Sequence, residues 1–465
     1  MPAYRGLYAA AIPPIFAAFF ASSPYLATGP TALTALLTAG ALTSIALPAS
    51  AEYVLLGILL ALIVGAIRVA VGMLRAGGLA YLVSQPVVIG FTSGAAVLIM
   101  ASQLPSVLGV KPPTADVLPA ALWVLTHPEH WRAASLLLSA ITLALVFGSR
   151  KINPLIPGVL LATVAGIAYV RVLGYDAPVI GAIPLEVPTL SLNLPWASLP
   201  ALFIPGLMIA IIGFVESSSI ARTYAALDRK MWNPNREFIS QGVANIGSAI
   251  AGGFPVDGSF SRSALNRMAG ARTRWSGLVA GVAALAFLPF AFVLESLPKA
   301  VLGAIVIGAV ASLIRWRPFL EFWRLAKLQF LTAGAAFALT LALSPRIEQA
   351  ALISILISIG IHLWRELRLD VQIWTEGDEL HFKPYGVLWF ATAARLEEFF
   401  LARLGQSDAR RLVLHLGGLG RIDVTGALIL RELIRDAKKA GLVVELRDVP
   451  PHAQNRVQII MAETE

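Results

Sequence analysis

Apolar residues run through most of this chain in long unbroken stretches, not in the alternating or one-faced patterns of a soluble core. Stretches able to cross a ~30 Å hydrocarbon layer fall at about residues 5–22, 30–47, 51–74, 79–104, 133–149, 155–173, 198–221, 237–251, 259–271, 276–294, 299–314, 329–344 and 347–365, which predicts about thirteen spans. Several are short or punctured by Gly and Pro. A hydrocarbon environment tolerates such breaks only where the freed backbone groups face protein or water, so the breaks are the expected places for a transport site.

After about residue 373 the pattern changes. Charge becomes dense, apolar positions alternate and no spanning run remains. RLVLHLGGL (411–419) reads as a buried strand, TGALILRELIRDAKKAG (425–441) as an amphipathic helix stopped by Gly441, and LVVELRDV (442–449) as the next strand. Strand, helix and strand at this spacing predict a small α/β domain with a largely parallel sheet. The expected organisation is a transmembrane domain at 1–370 followed by this domain at 371–465.

Composition agrees with a membrane protein: 57% of residues are hydrophobic, only 14% are charged, and the mean hydropathy is +0.76. The net charge of +9 does not point to nucleic acid, because Lys and Arg cluster in short loops instead of forming a face. These clusters are Arg68 with Arg75, Arg150 with Lys151, Arg222 to Arg236, Arg267 to Arg274, Arg315 to Lys327, and Arg365 with Arg368. If the spans alternate, all fall on one side. The positive-inside rule then makes that side cytoplasmic, with the C-terminus inside and Met1 outside. There is no Cys, which excludes disulfides, thiolate metal sites and cysteine nucleophiles. His127 and His130, in HPEHW, read as a solvated loop and not as metal ligands.

The sharpest interruption is GGFPVDGSFSRSALNRMAGARTRWSG (252–277), which sits between two strongly apolar runs. FPVDGS is extended by its Pro and Gly, and SFSRSALNRM then begins a helix whose early serines can cap free N–H groups. A helix that begins inside a membrane directs unpaired N–H donors and about half a positive charge at whatever precedes it, which makes an anion site. YLATGPTALTALL (25–37) has the same features, with Gly29 and Pro30 breaking the chain and Thr31 opening a helix. Two broken helices in the two halves of a chain mark the substrate site of an inverted-repeat transporter.

Beyond this physical reading, GFVESSSIART (213–223), the run from Asn235 to Gly277, and ESLPKAVLGAIVIGAV (295–310) resemble the second-half signature of the SulP/SLC26 family of anion transporters. SSPYLATGPTAL (22–33) is similar to that family's first-half motif, and LGRIDVTGALILRELIRDAKKAG (419–441) to the core of its STAS domain. The resemblance covers nearly the whole chain. It implies an α-helical polytopic membrane protein with a seven-plus-seven inverted-repeat, uracil-permease-like fold, followed by a small α/β STAS domain. A core moving against a gate like an elevator, a homodimer and a multi-pass place in the plasma membrane belong to the same expectation. Family substrates include sulfate, bicarbonate, chloride and dicarboxylates. Family members also carry an apolar span before the segment matching PAYRGLYAAAIPP, where Met1 stands here. That leaves an upstream start, which the loop charges favour, or a short form.

The expected function is therefore secondary active transport of a small anion of the sulfate, bicarbonate or dicarboxylate class by proton-coupled symport, with sodium left open as the coupling ion, and with no enzymatic activity and no cofactor. The alternatives are an uncoupled exchanger or channel-like conductor, and a non-transporting sensor that signals through the STAS domain. By the family match, Pro30, Thr31, Ala32, Phe260, Ser261 and Arg262 line the substrate site. Ser259 and Ser261 either donate to substrate or cap the helix. Arg262 either attracts the anion or anchors the helix. Glu216, a carboxylate inside a span, either relays a proton or pairs with Arg262. Asp423 and Thr425 occupy a strand-to-helix loop where soluble relatives of the STAS domain carry a phosphorylatable Ser. Thr425 is there an N-cap or a regulatory site.

Overall fold

The computed structural model describes residues 2–48, 50–81, 83–153, 156–183, 193–404, 409–451 and 453–454. They form two compact units, Met1–Leu356 and Ile357–Glu465. The first is helical. Its first half runs through α1 (Ala3–Phe20), a two-residue strand β1 (Thr28–Gly29), α2 (Ala32–Thr43), α3 (Ala51–Met73), α4 (Gln85–Leu108), α5 (Val117–Thr126), α6 (Ala133–Ile152) and α7 (Gly158–Leu173). After α8 (Leu199–Leu227) the same opening order returns as α9 (Pro234–Ile250), β2 (Asp257–Gly258), α10 (Phe260–Met268) and α11 (Trp275–Phe287). The remaining helices are α12 (Lys299–Val310), α13 (Trp316–Leu325), α14 (Lys327–Ala342) and the first part of α15 (Ile347–Glu366), a helix within which the division between the units falls.

Helix packing reveals the repeat. α3 packs on α9 and α1 on α11, while α1 also meets α9. Exchanging α1 with α9, α2 with α10 and α3 with α11 turns the first of these pairs into the second and leaves the third unchanged, as a two-fold relation between the halves requires. A second group obeys the same rule: α4 packs on α14, α12 on α6, and α4 on α12. Small residues allow the close approach that helix association in a membrane needs. A Cβ on Gly65 of α3 would lie 2.9 Å from the Gly242 carbonyl oxygen of α9.

Six described helical stretches are individually long and apolar enough to cross a membrane: Ala51–Met73, Gln85–Leu108, Trp196–Leu227, Trp275–Ser296, Lys299–Leu325 and Ile347–Glu366. The stretch at 259–271, expected as a span, instead holds the nine-residue α10, and the one at 30–47 holds the twelve-residue α2. Neither reaches across ~30 Å at 1.5 Å per residue. Both are half-helices.

The second unit contains β3 (Asp370–Glu376), β4 (Glu379–Leu388), α16 (Phe390–Leu404), β5 (Arg411–His415), β6 (Leu419–Ile422), α17 (Val424–Lys439) and β7 (Val443–Arg447). β3 pairs antiparallel with β4; β4 with β5, β5 with β7 and β4 with β6 are parallel. The stretch at 411–419 is thus not one strand, because β5 ends at His415 and a turn at Leu416–Gly418 starts β6. Leu430, Leu433, Ile434 and Ala437 of α17 pack into the core with Phe382, Leu412 and Leu414, and Gly441 follows the helix at φ +86°. The cap of α17 is Asp423, whose Oδ1 accepts from Gly426 N at 2.7 Å. Thr425 is exposed and lies one residue inside the helix, which corrects the expectation that it is the N-cap.

Candidate substrate site at two interrupted helices

The two interrupted segments meet. β1 and β2 pair antiparallel, Thr28 opposite Gly258 and Gly29 opposite Asp257, and each leads directly into a half-helix. Two residues per strand cannot hold themselves, so neighbouring polar side chains supply the hydrogen bonds. α9 provides most of them from buried positions. Gln241 donates to Thr28 Oγ1 at 2.8 Å, while Asn245 donates to the Val256 carbonyl and accepts from Val256 N, both at 2.9 Å. From α10, Ser263 Oγ accepts from Ala27 N at 2.9 Å, and Ser259 N donates to the Ala27 carbonyl at 3.0 Å.

A buried ion pair fixes β2. Arg68 Nη2 lies 2.6 Å from Asp257 Oδ2, with both side chains essentially inaccessible to solvent. The same guanidinium donates to the carbonyls of Ile209, Ala210 and Val256. Asp257 Oδ1 in turn accepts from Ser217 Oγ and, at 3.0 Å, from Gly258 N. Gly213 leaves room on α8 for this contact, since a Cβ there would sit 2.7 Å from Arg68 Nη2. Arg68, expected as a loop cation, is instead an interior residue of α3 whose charge is balanced within the protein. Nothing in its own surroundings in the sequence identified Asp257 as the partner, 189 positions away.

At the starts of α2 and α10 lies a cavity of about 250 Å³. Its walls include Pro30, Thr31 and Ala32 at the start of α2, Ser259, Phe260, Ser261 and Arg262 at the start of α10, and Glu216 from α8. All eight residues singled out for this site in the sequence are thus brought to one cavity. The two helix starts differ. Thr31 caps α2, its Oγ1 accepting from Thr34 N at 3.2 Å. Ser259 occupies the N-cap of α10 with an extended backbone but makes no capping hydrogen bond; its hydroxyl meets that of Ser261 at 3.3 Å. Of the two roles left open for these serines, capping is not made. The first turn of α10 therefore has no side-chain cap on its N–H groups, beside a cavity and at the positive end of a helix dipole.

Arg262 donates from Nη2 to the Pro30 carbonyl at 2.9 Å, tying the α10 start to the α2 start. Its guanidinium lies against Gly29, where a Cβ would be 3.0 Å from Nη1. Of the two readings of Glu216, the ion pair with Arg262 is not formed: the hydrogen bond that the guanidinium makes is to the Pro30 carbonyl. Glu216 stands half-buried in the wall. Such an arrangement suits a compact anion: fixed N–H donors and a guanidinium in a wall that also holds one carboxylate. His127 and His130 lie elsewhere, the His127 ring stacked between Trp123 of α5 and His130. Thr425 belongs to the second unit and takes no part in this cavity.

Comparison with known proteins places this geometry in context. Residues 1–336 match the sulfate permease family and residues 371–461 match the STAS domain. A probable sulfate transporter of Mycobacterium tuberculosis (strain CDC 1551 / Oshkosh) is 33% identical over 74% of this chain and 62% of its own length. The chloroplastic sulfate transporter 4.1 of Arabidopsis thaliana is 31% identical over 71% of this chain and 50% of its own length. The chain thus spans half to about three-fifths of these relatives. Among solved structures, the murine solute carrier 26 family member A9 anion transporter in the inward-facing state superposes with a TM-score of 0.89. That match covers 99% of this chain and 83% of the other at 18% identity, a likeness of fold. With its family match spanning residues 1–336, the strand crossing included, the chain belongs to the sulfate permease family.

Proposed function

We propose that the protein is a secondary active transporter of a small anion of the sulfate, bicarbonate or dicarboxylate class, bound in the cavity between α2 and α10. The observation that carries this reading is the uncapped first turn of α10, which opens on that cavity beside Arg262 and Glu216. Backbone amides of Ala32, Phe260 and Ser261 and the Arg262 guanidinium bind the anion, while Pro30 and Thr31 shape the wall. Glu216, a carboxylate in the wall of the same cavity, carries the coupling proton, so anion and proton are carried together.

Alternating access follows if the group α1, α3, α9 and α11, which carries both strands and half-helices, slides as a body against the group α4, α6, α12 and α14. Family membership and the two separate packing groups support this elevator motion. We assign transport to residues 1–370 and a cytoplasmic regulatory role to 371–465, with the positive loops other than Arg68 on the cytoplasmic face of a plasma membrane. A homodimer completes the assembly. Thr425 is the regulatory position, since a phosphate there would meet the N-terminus of α17.

The test is flux into liposomes containing the purified chain, with sulfate, bicarbonate, fumarate and chloride offered in turn, with and without a proton or sodium gradient. Concentrative uptake of one anion driven by a proton gradient is the expected result. Uptake of none of them, or uptake indifferent to every gradient, contradicts the proposal.

A further inference from the structure

Glu216 lines a second cavity as well. This one, of about 270 Å³, is walled by Arg222, Arg315, Tyr81, Thr92 and Ser219, and shares Glu216, Phe260 and Leu313 with the cavity between α2 and α10. Those three shared side chains form the partition. Two guanidinium groups thus converge on one space next to the proposed substrate site, in addition to the Arg262 guanidinium on the far side of the partition.

Among the described residues, neither the Arg222 nor the Arg315 guanidinium makes a close ion pair or a side-chain hydrogen bond, although Arg315 interacts through space with Glu216. Each lies instead over an aromatic ring: Arg222 Cζ is 5.2 Å from the centre of Tyr81, and Arg315 Cζ is 5.7 Å from the centre of Phe260. Stacking on a ring steadies a guanidinium while leaving its in-plane N–H donors open to a planar or tetrahedral oxyanion. Both side chains are exposed, and both also line this cavity. Thr92 and Ser219 add hydroxyls to the same wall. The charge balance of the space, two cations against the one shared carboxylate, calls for an anion. Phe260 links the two cavities physically, because the ring that carries Arg315 belongs to the first residue of α10.

We infer that Arg222 and Arg315 form a second anion subsite, placed in series with the one between α2 and α10 and separated from it by Phe260 and Leu313. It rests on the reading of the chain as an anion transporter. Both arginines are exposed to water, so the subsite is the weaker of the two: it gathers an oxyanion at the mouth and offers it to the half-helix site.

The experiment is equilibrium binding of radiolabelled sulfate to the purified full-length chain. Wild type is expected to show two classes of site. Arg222→Gln with Arg315→Gln should remove the weak class, leave the tight class within about twofold, and raise the KM for uptake about tenfold, the effect of losing two exposed charge contacts. Arg222→Lys with Arg315→Lys, which keeps the charge, should restore part of the weak class. Thermal unfolding of each variant checks the fold. Persistence of the weak class in the double Gln variant, or loss of the tight class along with it, overturns the inference. Ser261→Pro separates the two claims, for it should weaken the tight class alone, roughly ten- to hundredfold. If it leaves that class intact while the arginine variants abolish the weak one, the half-helix reading fails and the vestibule subsite stands. A single class indifferent to the arginine substitutions defeats the second subsite alone.

Discussion

Arg68 and Asp257 join the two halves of the membrane unit through one buried contact, 2.6 Å between Nη2 and Oδ2. It positions β2 immediately before α10, so it sets the place where the half-helix starts. Removing one partner leaves an unbalanced buried charge, which costs about 3–5 kcal/mol. Arg68→Ala or Asp257→Asn should therefore lower the unfolding temperature of the detergent-purified chain clearly. Arg68→Lys should not rescue it, because an ammonium cannot serve the Ile209, Ala210 and Val256 carbonyls and Asp257 together. Wild-type thermal stability in Arg68→Ala contradicts the role given to this pair.

Arg262 is restrained by Pro30 and packed against Gly29. Arg262→Ala should weaken sulfate binding roughly ten- to a hundredfold, as expected for the loss of a charge-assisted hydrogen bond, and the deficit should shrink in high salt if attraction acts partly through space. Gly29→Ala should show a smaller loss of the same kind, since the new Cβ would lie 3.0 Å from Arg262 Nη1 and displace it. Equilibrium binding at low and high ionic strength measures both. Unchanged affinity in Arg262→Ala returns this residue to a purely structural tie between the helix starts.

Glu216→Gln keeps the shape of the wall but cannot exchange a proton. Uptake driven by an inward proton gradient should disappear in this variant while anion binding remains measurable. Gradient-driven uptake at the wild-type rate excludes Glu216 as the coupling group.

In the second unit, Asp423→Ala should lower thermal stability by about 1 kcal/mol, the usual cost of losing an N-cap. Thr425→Ala should leave it unchanged, because Thr425 is exposed and caps nothing. Equal destabilisation by the two substitutions contradicts this assignment. Melting monitored by circular dichroism distinguishes the outcomes.

Local chemistry made much of this legible beforehand. Gly29 and Pro30, and the Pro and Gly of FPVDGS, cannot continue a helix, so both interruptions were visible as sequence, and the residues following each proved to line one cavity. Gly441 marked the end of α17 because it takes a positive φ that other residues resist. What escaped were contacts between distant segments. Arg68 looked like a loop cation because a charge near the end of an apolar run is usually one, and only the fold brings Asp257 to it. Ser259 and Ser261 carried the composition of a cap, yet whether a hydroxyl caps or turns to its neighbour depends on rotamers that composition does not encode. Asp423 and Thr425 are both good capping types two residues apart, and backbone geometry chose the first.

The central claim is that the first-turn amides of α10 hold the anion. Equilibrium sulfate binding to Ser261→Ala and Ser261→Pro, each compared with wild type in the full-length chain, tests it most directly. Alanine removes only the hydroxyl, whereas proline, tolerated in the first turn of a helix, also removes the N–H donor. Affinity close to wild type in the alanine variant and a roughly ten- to hundredfold loss in the proline variant, with unfolding temperatures preserved, is the expected result. A folded Ser261→Pro protein that binds sulfate as tightly as wild type contradicts the account.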